Sequence, residues 1–111
     1  MSFCISSGLI RWRPITVPTT IAFDNEGSEI YTIVEVDTRD RPGLLFDLTQ
    51  AFAAANVQIS QAVIASYGAQ VVDVFYVKDL FGLKLWSESR QRALEKRLRA
   101  AIDRAAERAG A

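Results

Sequence analysis

The spacing of apolar residues changes several times along this chain, and these changes limit the folds that it can adopt. Ile30 to Asp37 carries apolar or β-branched side chains at every second position, which is the repeat of a strand with one buried face. Residues 45–55 and 94–105 carry them three or four positions apart, which is the repeat of a helix with one buried face. The chain therefore combines strands with helices.

Six elements follow from this pattern and from the turn residues between them. The predicted strands are Thr19 to Phe23, Ile30 to Asp37, Val57 to Ala65 and Val71 to Val77. One helix is predicted between Arg41 and Asn56, and another from Ser87 and Glu88 to about Ala106. Asp24-Asn25-Glu26-Gly27 reads as a turn, so the first two strands should form a hairpin.

The same pattern predicts which side chains are buried. In the second strand the expected core residues are Ile30, Thr32, Val34 and Val36. In the first helix they are Leu45, Leu48, Phe52 and Ala55, with Asp47, Thr49 and Gln50 on the solvent side. In the second helix they are Leu94, Leu98, Ala101, Ile102 and Ala105. Val71 to Val77 is almost continuously apolar, which predicts a central strand, and Asp73 is its one charge.

The predicted order is strand, strand, helix, strand, strand, helix. It indicates an α+β fold of the ferredoxin-like type, with one antiparallel sheet and two helices on one face. A ferredoxin-like sheet has a further strand after its second helix, and here the N-terminal strand could fill that edge in a circular rearrangement. The 111 residues suit one core, which we expect over residues 15–106, with a linker over 1–14 and a tail over 107–111.

Composition argues against several classes of partner. Thirteen basic residues balance 13 acidic ones, so no single-signed field favours nucleic acid. The apolar runs are shorter than the ~20 residues that cross a membrane, and residues 1–9 lack the basic start of a signal peptide, so a cytoplasmic location is expected. Cys4 is the single cysteine and there is no histidine, which argues against a disulfide or a metal site.

The segment from Asp40 to Leu45 joins a predicted strand to a predicted helix, and its residue types suit a helix start. Asp40 could cap free N–H groups, Pro42 has no N–H to leave unpaired, and Gly43 allows a close approach. The N–H groups of residues 43–45 would favour a bound carboxylate, such as that of a free amino acid. The same residues would serve any helix start, so spacing alone leaves both interpretations open.

Three phrases in a fixed order make the chain resemble an ACT domain. They are Asp40-Arg41-Pro42-Gly43-Leu44-Leu45, then Asn56-Val57-Gln58-Ile59-Ser60, then Val72-Asp73-Val74-Phe75-Tyr76-Val77. Together with Phe23-Asp24-Asn25, Lys78-Asp79 and Gly82-Leu83-Lys84, they resemble the C-terminal ACT domains of bacterial PII uridylyltransferase/uridylyl-removing enzymes. The similarity runs from about Pro14 to Ile102.

This resemblance implies a regulatory domain that binds an amino-acid effector, glutamine in that enzyme family, and acts on the PII signal protein through the parent enzyme in nitrogen regulation. In ACT domains the effector lies against the first strand–helix loop and the start of the next strand, often where two domains pack together. A homodimer, or pairing with another ACT domain, is therefore implied. The implied effector-binding residues are Asp40, Arg41, Pro42, Gly43, Leu44, Leu45, Asn56, Val57, Gln58 and Ile59.

The resemblance does not extend to catalysis. Nucleotidyl transfer in the parent needs an Asp-x-Asp pair to hold magnesium, and its hydrolytic module needs histidines, neither of which occurs here. We therefore predict no catalytic residue, cofactor or metal in this chain. The first alternative is a structural ACT domain that mediates dimer or domain contacts without an effector. The second is a small enzyme, which would need an acid and a base beside a pocket.

Overall fold

The computed structural model describes residues 19–108. Its elements are β1 (Thr20–Asp24), β2 (Thr32–Arg39), α1 (Leu44–Ala54), β3 (Val57–Tyr67), β4 (Gln70–Asp79) and α2 (Glu88–Arg108). This succession confirms the predicted order of elements. The predicted linker over 1–14, with Cys4, lies outside the described residues, and so do the last three residues of the predicted tail.

The four strands form one antiparallel sheet in the order β1-β2-β4-β3. β1 pairs with β2 from Thr20 opposite Asp37 to Asp24 opposite Ile33. It thereby fills the edge that the strand after the second helix occupies in an ordinary ferredoxin-like sheet. The expected circular rearrangement is confirmed.

The core lies between the two helices and one face of the sheet. β4 is central, and alternate residues along it are buried, from Val71 to Asp79. The Phe52 ring of α1 packs on the Phe75 ring of β4, with 4.8 Å between their centroids. The predicted apolar stripe of α2 is buried throughout. These contacts fix α1 over the middle of the sheet.

Ile30 departs from the predicted core. It is 56% exposed and lies before β2, whereas Thr32, Val34 and Val36 are fully buried as predicted. The cause is local, because the Ser28 hydroxyl accepts hydrogen bonds from the N–H groups of Ile30 and Tyr31. These bonds keep both residues in a turn and delay the strand.

The buried face of α1 is rotated from the predicted one. Leu45 is 41% exposed and Asp47 only 6% exposed, so both were assigned to the wrong side. Leu44, Leu48 and Phe52, four residues apart, occupy the inner strip instead. Successive helical residues differ by about 100° in direction, so only one of the two adjacent leucines can point at the sheet.

Two left-handed residues delimit the segments around β3. Asn56, with φ 61°, closes α1 as predicted, and Gly68, with φ 65°, turns β3 into β4. These turns are what place β3 at the outer edge of the sheet beside α1.

Candidate functional site

Residues 40–43 form the connection between β2 and α1. The backbone N–H of Asp40 donates to the carbonyl of Ala69 at 2.8 Å, which ties this loop to the β3–β4 turn. The N–H of Leu44 donates to the carbonyl of Arg41 at 3.1 Å, and Gly43 has φ 78°. A left-handed conformation costs other residue types about 1–2 kcal/mol, so glycine suits this position.

The observed helix start corrects part of the predicted one. Gly43 is the N-cap and no side chain caps the helix, so Asp40 does not have the predicted capping role and Pro42 precedes the first turn. The N–H of Leu44, predicted to be free for a ligand, is used within the turn. The physical reason is the left-handed Gly43, which closes a tight turn and moves the helix start away from Asp40.

Asn56 to Ile59, the other half of the predicted site, lie at the far end of α1. This helix has 11 residues, which corresponds to a length of about 16 Å. The strand register agrees, because Val57 pairs with Asp79 at one end of β4 while Arg39 pairs with Gln70 at the other. Within one chain, residues 40–45 therefore meet the β3–β4 turn and do not meet residues 56–59.

β3 is an edge strand that is unusually well suited to pairing. It is last in the sheet order, and its 11 residues include no charged side chain and no proline. Charges, prolines and bulges are the usual devices that prevent edge pairing. The one such device here is a register irregularity between Ile59 and Gln61, which leaves residues 61–67 regular.

Apolar side chains surround this edge. Val63, Ile64 and Tyr67 of β3 are 46, 48 and 64% exposed, and Leu45 and Phe46 at the start of α1 are 41 and 64% exposed. Such side chains lose contact with water when another chain covers them, which stabilises an assembly by roughly 25 cal/mol per Å². The surface beside the Asp40–Leu45 loop is therefore favourable for association.

Asp73 is the functional candidate that the sequence reasoning left unassigned. It is 2% exposed, and its Oδ1 atom has no hydrogen-bond partner among the described residues. Burial, together with the nearby charge of Asp40, raises the pKa of the Asp73 carboxyl from 3.8 to about 6. The sequence signal was a lone charge within an apolar strand, but the missing partner becomes visible only in the structure.

The described part of the chain lacks the side-chain clusters of a metal site and helices that could span a membrane. Residues 19–108 contain no group of three or more His, Cys, Asp or Glu side chains that could hold a metal ion. None of the described helices is both long enough and apolar enough to span a membrane.

Comparison with known families gives a match over most of the chain. Residues 28–104 match the family model described as the ACR family N-terminal ACT domain. No solved structure matches the chain.

Several similar proteins carry the same description, bifunctional uridylyltransferase/uridylyl-removing enzyme. That of Ruegeria pomeroyi is 68% identical over 101 residues, which are 91% of this chain and 11% of the relative. That of Cereibacter sphaeroides is 72% identical over 92 residues, 83% of this chain and 10% of the relative. That of Azospirillum brasilense is 48% identical over 88 residues, 79% of this chain and 9% of the relative. The chain thus spans about a tenth of the length of these relatives.

Proposed function

This chain belongs to the ACT domain family, and on that premise we propose that it is the effector-sensing regulatory domain of a uridylyltransferase/uridylyl-removing enzyme, with glutamine as the effector. The family match covers residues 28–104, and the three relatives of this name described above are 48–72% identical to the chain. One observation carries the sensing proposal. The two groups of predicted effector-binding residues, 40–45 and 56–59, lie at opposite ends of β3, an edge strand without charged side chains or proline.

Pairing of two β3 strands would unite these halves. Antiparallel pairing about the midpoint of β3, Ala62, puts residue 57 of each copy beside residue 67 of the other. Tyr67 lies at the loop end of the sheet, because it pairs with Gln70, which in turn pairs with Arg39. Residues 56–59 of the second copy then come beside residues 40–45 of the first, and the reverse holds by symmetry. A dimer of this kind has two effector sites, each shared between copies.

The groups gathered there suit glutamine. Its carboxylate would meet the N–H groups of Gly43 and Leu45 at the start of α1, where the helix dipole favours negative charge. Its side-chain amide would meet Asn56 and Gln58 of the second copy, which are exposed in the single chain. Amide groups both donate and accept hydrogen bonds, so they distinguish glutamine from glutamate, whose side chain only accepts.

The regulatory consequence follows from the family that the chain resembles. Glutamine binding would shift the parent enzyme from uridylylating the PII signal protein towards removing the uridylyl group, as part of nitrogen regulation. The remainder of the parent enzyme would carry out the catalytic steps. This domain would only change the balance between the two activities when it binds glutamine. A ligand shifts the equilibrium between two states of a protein only if it binds one state more tightly than the other. A site shared between two copies would do so, because it would be complete only in the state in which the copies are paired.

A titration of the chain with amino acids tests sensing directly. Isothermal titration with glutamine, glutamate and asparagine should give heat with glutamine and weaker or no heat with the other two, and light scattering should give the mass of a dimer. A folded dimer that gives no heat with any amino acid would contradict sensing and favour the structural alternative, in which the domain only mediates contacts.

Substitutions at Ala62 test the proposed pairing. Ala62 is exposed and lies at the midpoint of β3, so the proposed pairing sets it opposite its own copy. Ala62→Lys and Ala62→Glu each place like charges face to face, which disfavours pairing. Each variant alone should be monomeric and should not bind glutamine, whereas an equimolar mixture should recover both the dimer and the binding. Ala62→Ser, the neutral control, should remain dimeric, and a mixture that stays monomeric would contradict pairing through β3.

A further inference from the structure

Asp73 occupies a costly position for a carboxyl group. It lies in the central strand between the buried Val71 and Phe75, it is 2% exposed, and its Oδ1 atom has no hydrogen-bond partner in the described part of the chain. An unpaired buried polar atom costs about 1–3 kcal/mol, and more when it is charged. A structural role would be served better by valine, which the neighbouring positions use.

The packing of α1 defines where Asp73 lies relative to the predicted effector loop. The Phe52 ring lies against the Phe75 ring. The four residues from Phe52 back to Leu48 advance about 6 Å along α1, and two residues back along β4 advance about 6.6 Å. Leu48 therefore lies over Asp73, one turn inside the helix start, and Asp40 is close enough for its charge to raise the pKa of Asp73.

The side of Asp73 that faces β3 is the side nearest to solvent. Its partner across the strand pair is Ile64, which is 48% exposed although it is on the helix-facing side of the sheet. Neighbouring strands are about 4.8 Å apart, so Asp73 lies one strand spacing from solvent. Because Asp73 is only 2% exposed, a small molecule between the start of α1 and β3 would have to displace the Ile64 side chain to reach the Asp73 carboxyl, and a second copy paired on β3 would then enclose that molecule.

The charges define what such a molecule should carry. Asp40 and Asp73 repel one another, and a cation beside Asp73 would relieve that repulsion and supply the missing partner of Oδ1. The free N–H groups at the start of α1 favour an anion one turn away. A group with a positive and a negative charge this close together is the zwitterionic end of an α-amino acid. A metal ion fits less well, because the described residues offer no group of three ligating side chains.

We propose that the Asp73 carboxylate binds the ammonium group of the amino-acid effector, while the start of α1 binds its carboxylate; the proposal rests on the sensing function proposed above. Asp73 would then select α-amino acids over other carboxylic acids of the same shape. The side-chain amide would be recognised separately, by residues 56–59 of the second copy.

The test compares glutamine with its analogue that lacks the α-amino group, glutaramate. The wild-type chain should bind glutamine about 10- to 100-fold more tightly than glutaramate, the difference expected for one hydrogen bond to a charged group. Asp73→Asn should lose that preference through weaker glutamine binding, with glutaramate binding unchanged. Asp103→Asn, which removes an exposed carboxylate on α2, is the matched control and should behave as wild type.

The possible outcomes separate this inference from the proposed function. A wild-type chain that binds glutamine, with Asp73→Asn retaining the full preference over glutaramate, overturns the role of Asp73 and leaves sensing intact. A wild-type chain that binds neither compound overturns both. Thermal unfolding checks that each variant folds. If Asp73→Asn does not fold, Asp40→Asn, at the exposed neighbour of Asp73, takes its place and should reduce the preference for glutamine over glutaramate. A preference that Asp40→Asn does not reduce would also contradict the proposal.

Discussion

The buried Asp73 should make the chain lose stability as the pH rises from 4 to 7. Burial and the neighbouring Asp40 raise the pKa of its carboxyl from 3.8 to about 6. Between these values the folded chain holds a proton that the unfolded chain has released, so the free energy of unfolding falls as the pH rises. The difference between the two pKa values corresponds to about 3 kcal/mol, reached once the pH is above the folded pKa.

Asp73→Asn isolates this effect from all other titrations. Urea unfolding of both proteins at intervals from pH 3.5 to 8 gives the difference in free energy of unfolding, in which the contributions of groups that do not interact with Asp73 cancel. Relative to wild type, the variant should gain about 3 kcal/mol across this range. The constant offset at low pH depends on how the new amide is accommodated, but the pH dependence does not. A difference that stays constant to within about 1 kcal/mol would refute the reasoning.

Two further substitutions test the core and the loop. Phe52→Ala removes a fully buried ring that packs at 4.8 Å on Phe75, and it should lower the free energy of unfolding by about 3–5 kcal/mol in urea; a loss below about 1 kcal/mol would show that α1 does not pack as described. Gly43→Ala and Gly68→Ala both force alanine into a left-handed conformation, with φ 78° and 65°, and each should cost about 1–2 kcal/mol in the same assay. Only Gly43→Ala should also weaken glutamine binding in the titration, and equal weakening by both would contradict a specific role for the Asp40–Leu45 loop.

Most of the fold could be predicted because its signals are local. The apolar stripe of α2 repeats at helical spacing over several turns, and the run from Val71 to Val77 indicated the central strand directly. The predicted burial of Ile30 was wrong because a hydrogen bond to the Ser28 hydroxyl delays the start of β2. The alternation of apolar residues carries no information about that hydrogen bond. The predicted burial of Leu45 was wrong because Leu44 and Leu45 fit the helical repeat equally well. Which of the two is buried depends on how the helix packs on the sheet.

The candidate site was less predictable than the fold, since its parts come from segments that are distant from one another in the sequence. Asp40 to Leu45 stand out through their residue types and through family resemblance, and their link to Ala69 follows from the β4 register. In the proposed dimer their relation to Asn56 depends on a second copy, and the periodicity of one sequence carries no information about contacts between copies. Asp73 was visible as a lone charge, but whether a buried charge has a partner is a property of the packed structure.

The position of β1 has a consequence for how the chain folds. In an ordinary ferredoxin-like chain the strands that pair at this edge are the first and the last, so nearly the whole chain must be ordered before they meet. Here Asp24 pairs with Ile33 and Thr20 with Asp37, so the same edge closes as a local hairpin with a small loss of chain entropy. Local contacts of this kind speed folding. The slow step should therefore move to the pairing of β2 with β4, and the β1–β2 edge can form during synthesis before either helix has emerged.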